Sequence, residues 1–97
     1  MTTDDPFPRI GSDPPVAATP DIVVDACGLL CPLPLVKVAR VIGALVPDAL
    51  LELRSDDPAA LTDVPTWCEA RGHAYLGVSR EAAVLRFFFR KRATVEA

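Results

Sequence analysis

Proline placement constrains this chain more than any other feature. Five of the ten prolines fall between Pro6 and Pro20, and the rest stand at Pro32, Pro34, Pro47, Pro58 and Pro65. A proline has a fixed φ and no N–H, so helix interiors and central strands must run between these points. The first twenty residues add Gly11, Ser12 and three aspartates to their prolines, with only isolated apolar side chains. Such a stretch cannot bury enough surface to offset its ordering entropy, and residues 1–20 are expected to form a flexible Pro-rich tail. One folded domain then occupies residues 21–92, followed by a short C-terminal tail at 93–97. The chain's 97 residues leave no room for a second domain, and its apolar fraction of 51% is ample for a single core.

Between the later prolines, the periodicity gives six elements. Ile22-Val23-Val24 is a β-branched run that reads as a strand, and Gly28 marks the turn after it. Leu35, Val38, Ala39, Ile42, Leu45 and Val46 recur at helical spacing, with Lys37, Arg40 and Ala44 on the opposite face. Pro32 suits the first turn of this helix, and Pro47-Asp48 ends it. Leu51 and Leu53 alternate with Glu52 and Arg54, which predicts a half-buried strand. Pro65 argues against one continuous helix after Pro58. A short turn through Ala59 to Thr62 is expected, then a helix capped by Asp63, with Val64, Trp67, Cys68 and Arg71 on one face and Gly72 as its stop. His73 to Val78 and Ala83 to Arg90 read as a strand pair joined at Ser79-Arg80-Glu81. Leu85, Phe87 and Phe89 point one way, while Arg86, Phe88 and Arg90 point the other.

The order is strand, helix, strand, helix, strand, strand. So few residues can only form two layers, with both helices on one face of the sheet. The other face would stay open and carry Phe88, either as a contact surface or as an ordinary exposed aromatic.

A net charge of -3 and a pI near 4.9 argue against nucleic acid as the main partner. The basic run Arg90-Lys91-Arg92 reads first as a solvated strand end, and second as a docking patch for an acidic protein. No stretch is long and apolar enough to span a bilayer, and the N-terminus lacks a secretory signal pattern. Three cysteines in a chain that looks non-secreted do not suit a disulfide framework, so reduced thiols and a cytoplasmic location are expected.

Of the three, Cys31 is the reactive candidate. It immediately precedes Pro32 at the helix start, where unpartnered N–H groups and the macrodipole favour an anion. The thiolate is the reactive form of cysteine, so this position raises its reactivity. Pro32 and Pro34 stiffen the corner. A cysteine between Gly28 and two prolines lies on a surface corner rather than on a core face, which disfavours the plainer reading of a buried apolar residue.

The run Asp25-x-x-Gly28-Leu29-x-Cys31-Pro32-x-Pro34 after a β-branched strand resembles the signature of the TusA/SirA sulfur carriers. Asp56-Asp57-Pro58, Asp63-Val64-Pro65-x-Trp67-Cys68 and Gly72-His73 resemble that family's second block at the expected separation. The resemblance runs from about Ile22 to Arg92 and is far more specific than Cys-Pro alone. It implies a two-layer α+β sandwich of order βαβαββ with a four-stranded mixed sheet. It also implies that Cys31 accepts sulfane sulfur as a persulfide from a cysteine desulfurase or rhodanese. An acceptor protein serving tRNA thiolation, molybdenum cofactor formation or sulfur oxidation then takes the outer sulfur. Asp25, Gly28, Pro32 and Pro34 would support the motif. No cofactor is implied, and a monomer is the simplest expectation.

Cys27 departs from the family pattern. It could resolve a persulfide on Cys31 into a disulfide, although a tolerated small residue at a strand end is the preferred reading. Lys37 and Arg40 could add positive potential near Cys31 or meet an acidic donor, and the preferred reading has them solvating the outer helix face. A zinc site from Cys27, Cys31, Cys68 and His73 has unusual spacing and is not expected. The alternatives to a carrier are a non-catalytic regulatory or adaptor domain using the open sheet face, and a thiol redox protein using Cys27 and Cys31.

Overall fold

The computed structural model describes residues 10–92 apart from Ser12 and Cys31. The outer parts of the expected tails, residues 1–9 and 93–97, lie outside the described residues. The elements are β1 (Ile22–Asp25), α1 (Leu33–Ile42), β2 (Leu50–Ser55), α2 (Ala60–Arg71), β3 (Ala74–Glu81) and β4 (Val84–Arg90). They build one mixed sheet of order β1-β2-β4-β3. β1 lies parallel to β2, which requires the α1 crossover, and the other two pairings are antiparallel. This is the expected βαβαββ sandwich.

Strand alternation decides where the core sits. Leu51 stands opposite Phe89 and Leu53 opposite Phe87, so these four point to one face, joined by Val24 beside Leu53. Leu35, Val38 and Ile42 of α1 and Ala60, Val64 and Cys68 of α2 pack on that face, which places both helices on the same side.

The two helices differ from their expected forms, each for a local reason. α1 stops at Ile42, earlier than Pro47 requires, and Val46 is 70% exposed. The three residues of the basic run tie down nearby chain ends. Lys91 Nζ donates to the carbonyl of Leu45, Arg90 to that of Asp48, and Arg92 to that of Arg71 at the end of α2. Because β4 lies inside the sheet, this run does not guard an edge.

α2 is continuous from Ala60 and contains Pro65. Pro58 lies in the turn just before it, ahead of the N-cap Ala59. The Asp57 carboxylate accepts from Ala59 N at 3.1 Å, and the N–H groups of Ala60, Leu61 and Thr62 bond three residues back. This tight opening turn starts the helix before Asp63. Pro65 then costs one hydrogen bond, donated to Leu61 in a regular helix, while Thr66 Oγ1 bonds the next carbonyl, Thr62 O, at 2.8 Å.

The β3–β4 connection is also tighter than expected. β3 continues through Glu81, and the turn is Ala82-Ala83 with Ala82 at φ +56°. An L-residue pays roughly 1–2 kcal/mol for this left-handed conformation. Ala82→Gly is therefore expected to stabilise the protein by about 0.5–1 kcal/mol and raise Tm by roughly 2–6 °C. A thermal melt showing no rise would mean that the turn holds Ala82 without strain.

The second sheet face is closed, contrary to expectation. Phe88 is 1% exposed and Glu52, on the same face, also 1%. The half-buried strand expected at β2 is instead buried almost throughout. Glu52 Oε2 accepts from Arg54 Nε at 2.7 Å and from Arg86 Nε at 2.8 Å. The Arg86 guanidinium lies 5.4 Å from the Phe88 ring centroid. Burial pushes the Glu52 carboxyl up, but the two arginines outweigh it and hold the group below the ordinary value. Part of the stretch read as a tail also reaches the sheet. Ile10 packs against the core, Gly11 O accepts from Arg80 N at 2.9 Å, and Pro15 lies over Gly77.

Candidate functional site at the β1–α1 corner

The parallel pairing of β1 with β2 extends one residue past the strand, where Ala26 N donates to Arg54 O at 2.8 Å. The chain then turns. Gly28 sits at φ +88°, and its N–H donates to Asp56 Oδ1 at 2.9 Å. A Cβ on Gly28 would meet nothing within 4 Å, so the position needs glycine for its backbone conformation alone. Leu29 N closes the turn on Ala26 O at 3.1 Å. Leu30 and Pro32 follow, both exposed, and α1 begins at Leu33. Cys31, between Leu30 and Pro32 in sequence, lies outside the described residues.

The backbone at this helix start differs from the sequence expectation. Pro32 and Pro34 have no N–H. Leu33 N donates to Leu30 O at 2.9 Å, while Leu35 N and Val36 N both donate to Pro32 O. Among the described residues, the first-turn amides are therefore spent inside the corner. What favours an anion here is the longer-range field of the helix, with no acidic residue in its first turn.

Asp25 folds back on this corner. Its Oδ1 accepts from Cys27 N at 3.1 Å, and its carbonyl accepts from Lys37 Nζ. Lys37 thus pins α1 to the end of β1 and does more than solvate the helix. The Cys27 N–H, the Cys27 thiol and the charges of Lys37 and Arg54 hold the Asp25 carboxyl below its usual range. Partial burial pushes the Cys27 thiol up, and the hydrogen bond and charge of Asp25 push it further. Both effects disfavour the thiolate of Cys27, although the residue is exposed. It lines a cleft with Asp25, Arg54, Glu81, Val84 and Arg86.

Cys68 is fully buried, and burial pushes its thiol up to about 12. It belongs to the core with Val64, as its helix face suggested. His73 stacks on Trp67 with ring centroids 5.3 Å apart, and its Nδ1 accepts from Arg92 N at 3.0 Å. No group of three or more His, Cys, Asp or Glu side chains among the described residues could hold a metal.

An apolar lip surrounds the corner, and the sequence reading passed over it. Leu30 is 71% exposed, Leu33 51% and Val36 43%. Leu29, Leu33 and Val36 line a shallow groove with Lys37 and Arg40, so Arg40 stands at its rim. A second groove on the other side of Val36 runs along Pro32, Leu35 and Ala39 to Trp67 and Arg71. The signal was present: Leu33 and Val36 fall three apart, off the helix face that the core uses.

Comparison with known proteins identifies the family. The model of the family described as Sulfurtransferase TusA matches residues 22–91. The chain is 32% identical over 82 residues to the sulfur carrier protein TusA of Pseudomonas syringae pv. tomato, covering 84% of this chain and 98% of that protein. It is 40% identical over 70 residues to the putative sulfur carrier protein YrkF of Bacillus subtilis, covering 72% of this chain but only 38% of YrkF. A SirA-like protein from Desulfitobacterium hafniense shares the fold, with a TM-score of 0.65 at 16% identity over 73% of this chain and 97% of the other. No helix among the described residues is long and apolar enough to cross a membrane. With both helices and all four strands inside the family match, the chain belongs to the TusA family.

Proposed function

We propose that this protein is a sulfur carrier that holds transferable sulfur as a persulfide on Cys31. The observation that carries the reading is the β1–α1 corner. It is a stiff, exposed turn with an apolar and basic surround, inside the region matched by the family model. The two other thiols are poorly suited to the role, because Cys68 is buried and the Cys27 thiol is pushed up by partial burial and by Asp25. The names of the relatives support the same reading.

The transfer needs no external redox partner. The Cys31 thiolate attacks the outer sulfur of a donor persulfide, and the donor's inner sulfur leaves as a thiolate with the electron pair of the broken S–S bond. The sulfane sulfur moves without net oxidation, and a second exchange passes it to the acceptor. A cysteine desulfurase or a rhodanese would be the donor. Acceptors in tRNA thiolation, molybdenum cofactor formation or sulfur oxidation would use the product. The surround of Leu30, Leu33, Val36, Lys37 and Arg40 suits partners that present apolar side chains rimmed by acidic ones.

The test is to incubate the protein with a cysteine desulfurase and cysteine, record its intact mass, and map the modified peptide. A gain of one sulfur atom, reversed by reductant and located at Cys31, is the expected result. Absence of any gain with both a desulfurase and a rhodanese, or a gain located elsewhere, would sink the reading.

A further inference from the structure

We propose that the segment carrying Ile10, Gly11 and Pro15 is an intramolecular strap that closes the β3 edge and keeps it from pairing with a second copy of the chain. β3 is an outer strand of the sheet, so the N–H groups on its far side have no strand partner. Arg80 stands opposite Leu85, one rung from the Glu81–Val84 pair that closes the hairpin. In a two-residue hairpin that rung turns its N–H groups outward. Gly11 O accepts the Arg80 N–H at 2.9 Å, so the segment occupies a bond that an incoming strand would use.

Two further contacts seat the strap on both sides of that edge. Ile10 packs against the helix-covered core. On the other face, Gly77 lies at φ +140°, beside an irregularity in the β3–β4 register and opposite Phe88. A Cβ on Gly77 would come within 3.0 Å of Pro15 Cβ, so the missing side chain is the space that Pro15 fills. Pro15 thus covers the residue paired with Phe88, which the helices do not cover and which is nonetheless 1% exposed.

The composition of the segment suits a terminating cover rather than a fifth strand. Pro14 and Pro15 offer no N–H to a further strand, so the edge ends where the strap lies. Their fixed φ also lowers the entropy lost on docking. The segment precedes residue 22, where the match to the family model begins.

The experiment uses the full chain under reducing conditions, as wild type and as the double variant Ile10→Asp, Pro15→Asp. In the wild type, the Arg80 amide is expected to exchange at least about tenfold more slowly than an unstructured amide. In the variant, that protection is expected to fall at least about tenfold while the β4 amides keep theirs. Its mass by light scattering should shift towards a dimer as concentration rises. An unprotected Arg80 amide in the wild type would overturn the strap. A variant that opens at Arg80 yet stays monomeric would overturn its guarding role. If the double variant does not fold, Pro15→Ser is read by the same two measurements, and the wild-type exchange rate stands as a test by itself.

Discussion

Cys31→Ser is expected to take up no sulfur from a persulfide donor, while Cys27→Ser and Cys68→Ser gain as much as the wild type. A serine hydroxyl stays protonated at neutral pH and gives no stable bond to sulfane sulfur, so the loss should be complete. The fold should not change, because a thiol and a hydroxyl differ little in size. The controls rest on different causes. With its thiol pushed up to about 12, Cys68 has a thiolate fraction on the order of 10⁻⁵ at pH 7, and its side chain is shut inside the core. Cys27 is accessible, but partial burial and then Asp25 push its thiol up and disfavour the thiolate. Intact mass after donor treatment checks all three variants. A Cys27→Ser protein that gained nothing would instead show that the neighbouring thiol takes part in the transfer.

The largest expected effect on stability comes from Glu52→Ala. Removing one partner from a buried ion pair typically costs about 3–5 kcal/mol, because the other charge is left without compensation. Here the arginine side chains are 43% and 20% exposed and keep some access to water. A loss of about 2–3 kcal/mol is therefore expected, or roughly 10–20 °C in Tm. Glu52→Gln keeps one acceptor oxygen and should lose about half as much. The pH dependence separates charge from packing. Burial alone would raise the Glu52 carboxyl, yet the arginines depress it below 4.5 in the folded state. Its contribution is complete above the unfolded value and disappears as pH falls through the lower folded one. The stability curves of wild type and Glu52→Gln should thus stand a constant distance apart above 4.5 and converge as pH falls below it. Denaturant melts across that range are the check, and parallel curves would mean that the charge contributes nothing.

Much of the fold was legible because its signals are local. Leu51 and Leu53, then Leu85, Phe87 and Phe89, alternate cleanly, and Leu35, Val38 and Ile42 recur at helical spacing, so element types and layers followed from period alone. The errors arose where distant segments meet. Glu52 reads as a solvent-facing residue until Arg86, 34 positions away, lies beside it. Phe88 reads as exposed, yet it is 1% exposed, with the Arg86 guanidinium over its ring. Pro65 was expected to start a helix, because nothing in the sequence revealed that the turn at Pro58 was already wound tightly enough to start it. At the corner, the motif residues Asp25 and Gly28 were identifiable, but their partners Cys27 N and Asp56 were not. The use of the first-turn amides by Leu30 and Pro32 carbonyls depends on backbone geometry that residue types do not encode directly.

That closed set of amides governs what kind of reagent the corner can be. A socket of aimed donors would grip any small anion, sulfide and sulfite included, and would hold a bound sulfur species with the protein alone. A helix start whose own amides are already engaged attracts negative charge only diffusely, so it discriminates poorly among free solutes. Selection then falls to the lip of Leu30, Leu33 and Val36, a surface too open to enclose a small molecule and suited to matching another macromolecule's contour. On the proposed reading, sulfur held there would be guarded by the scarcity of surfaces that fit, and would become available when one of them docks.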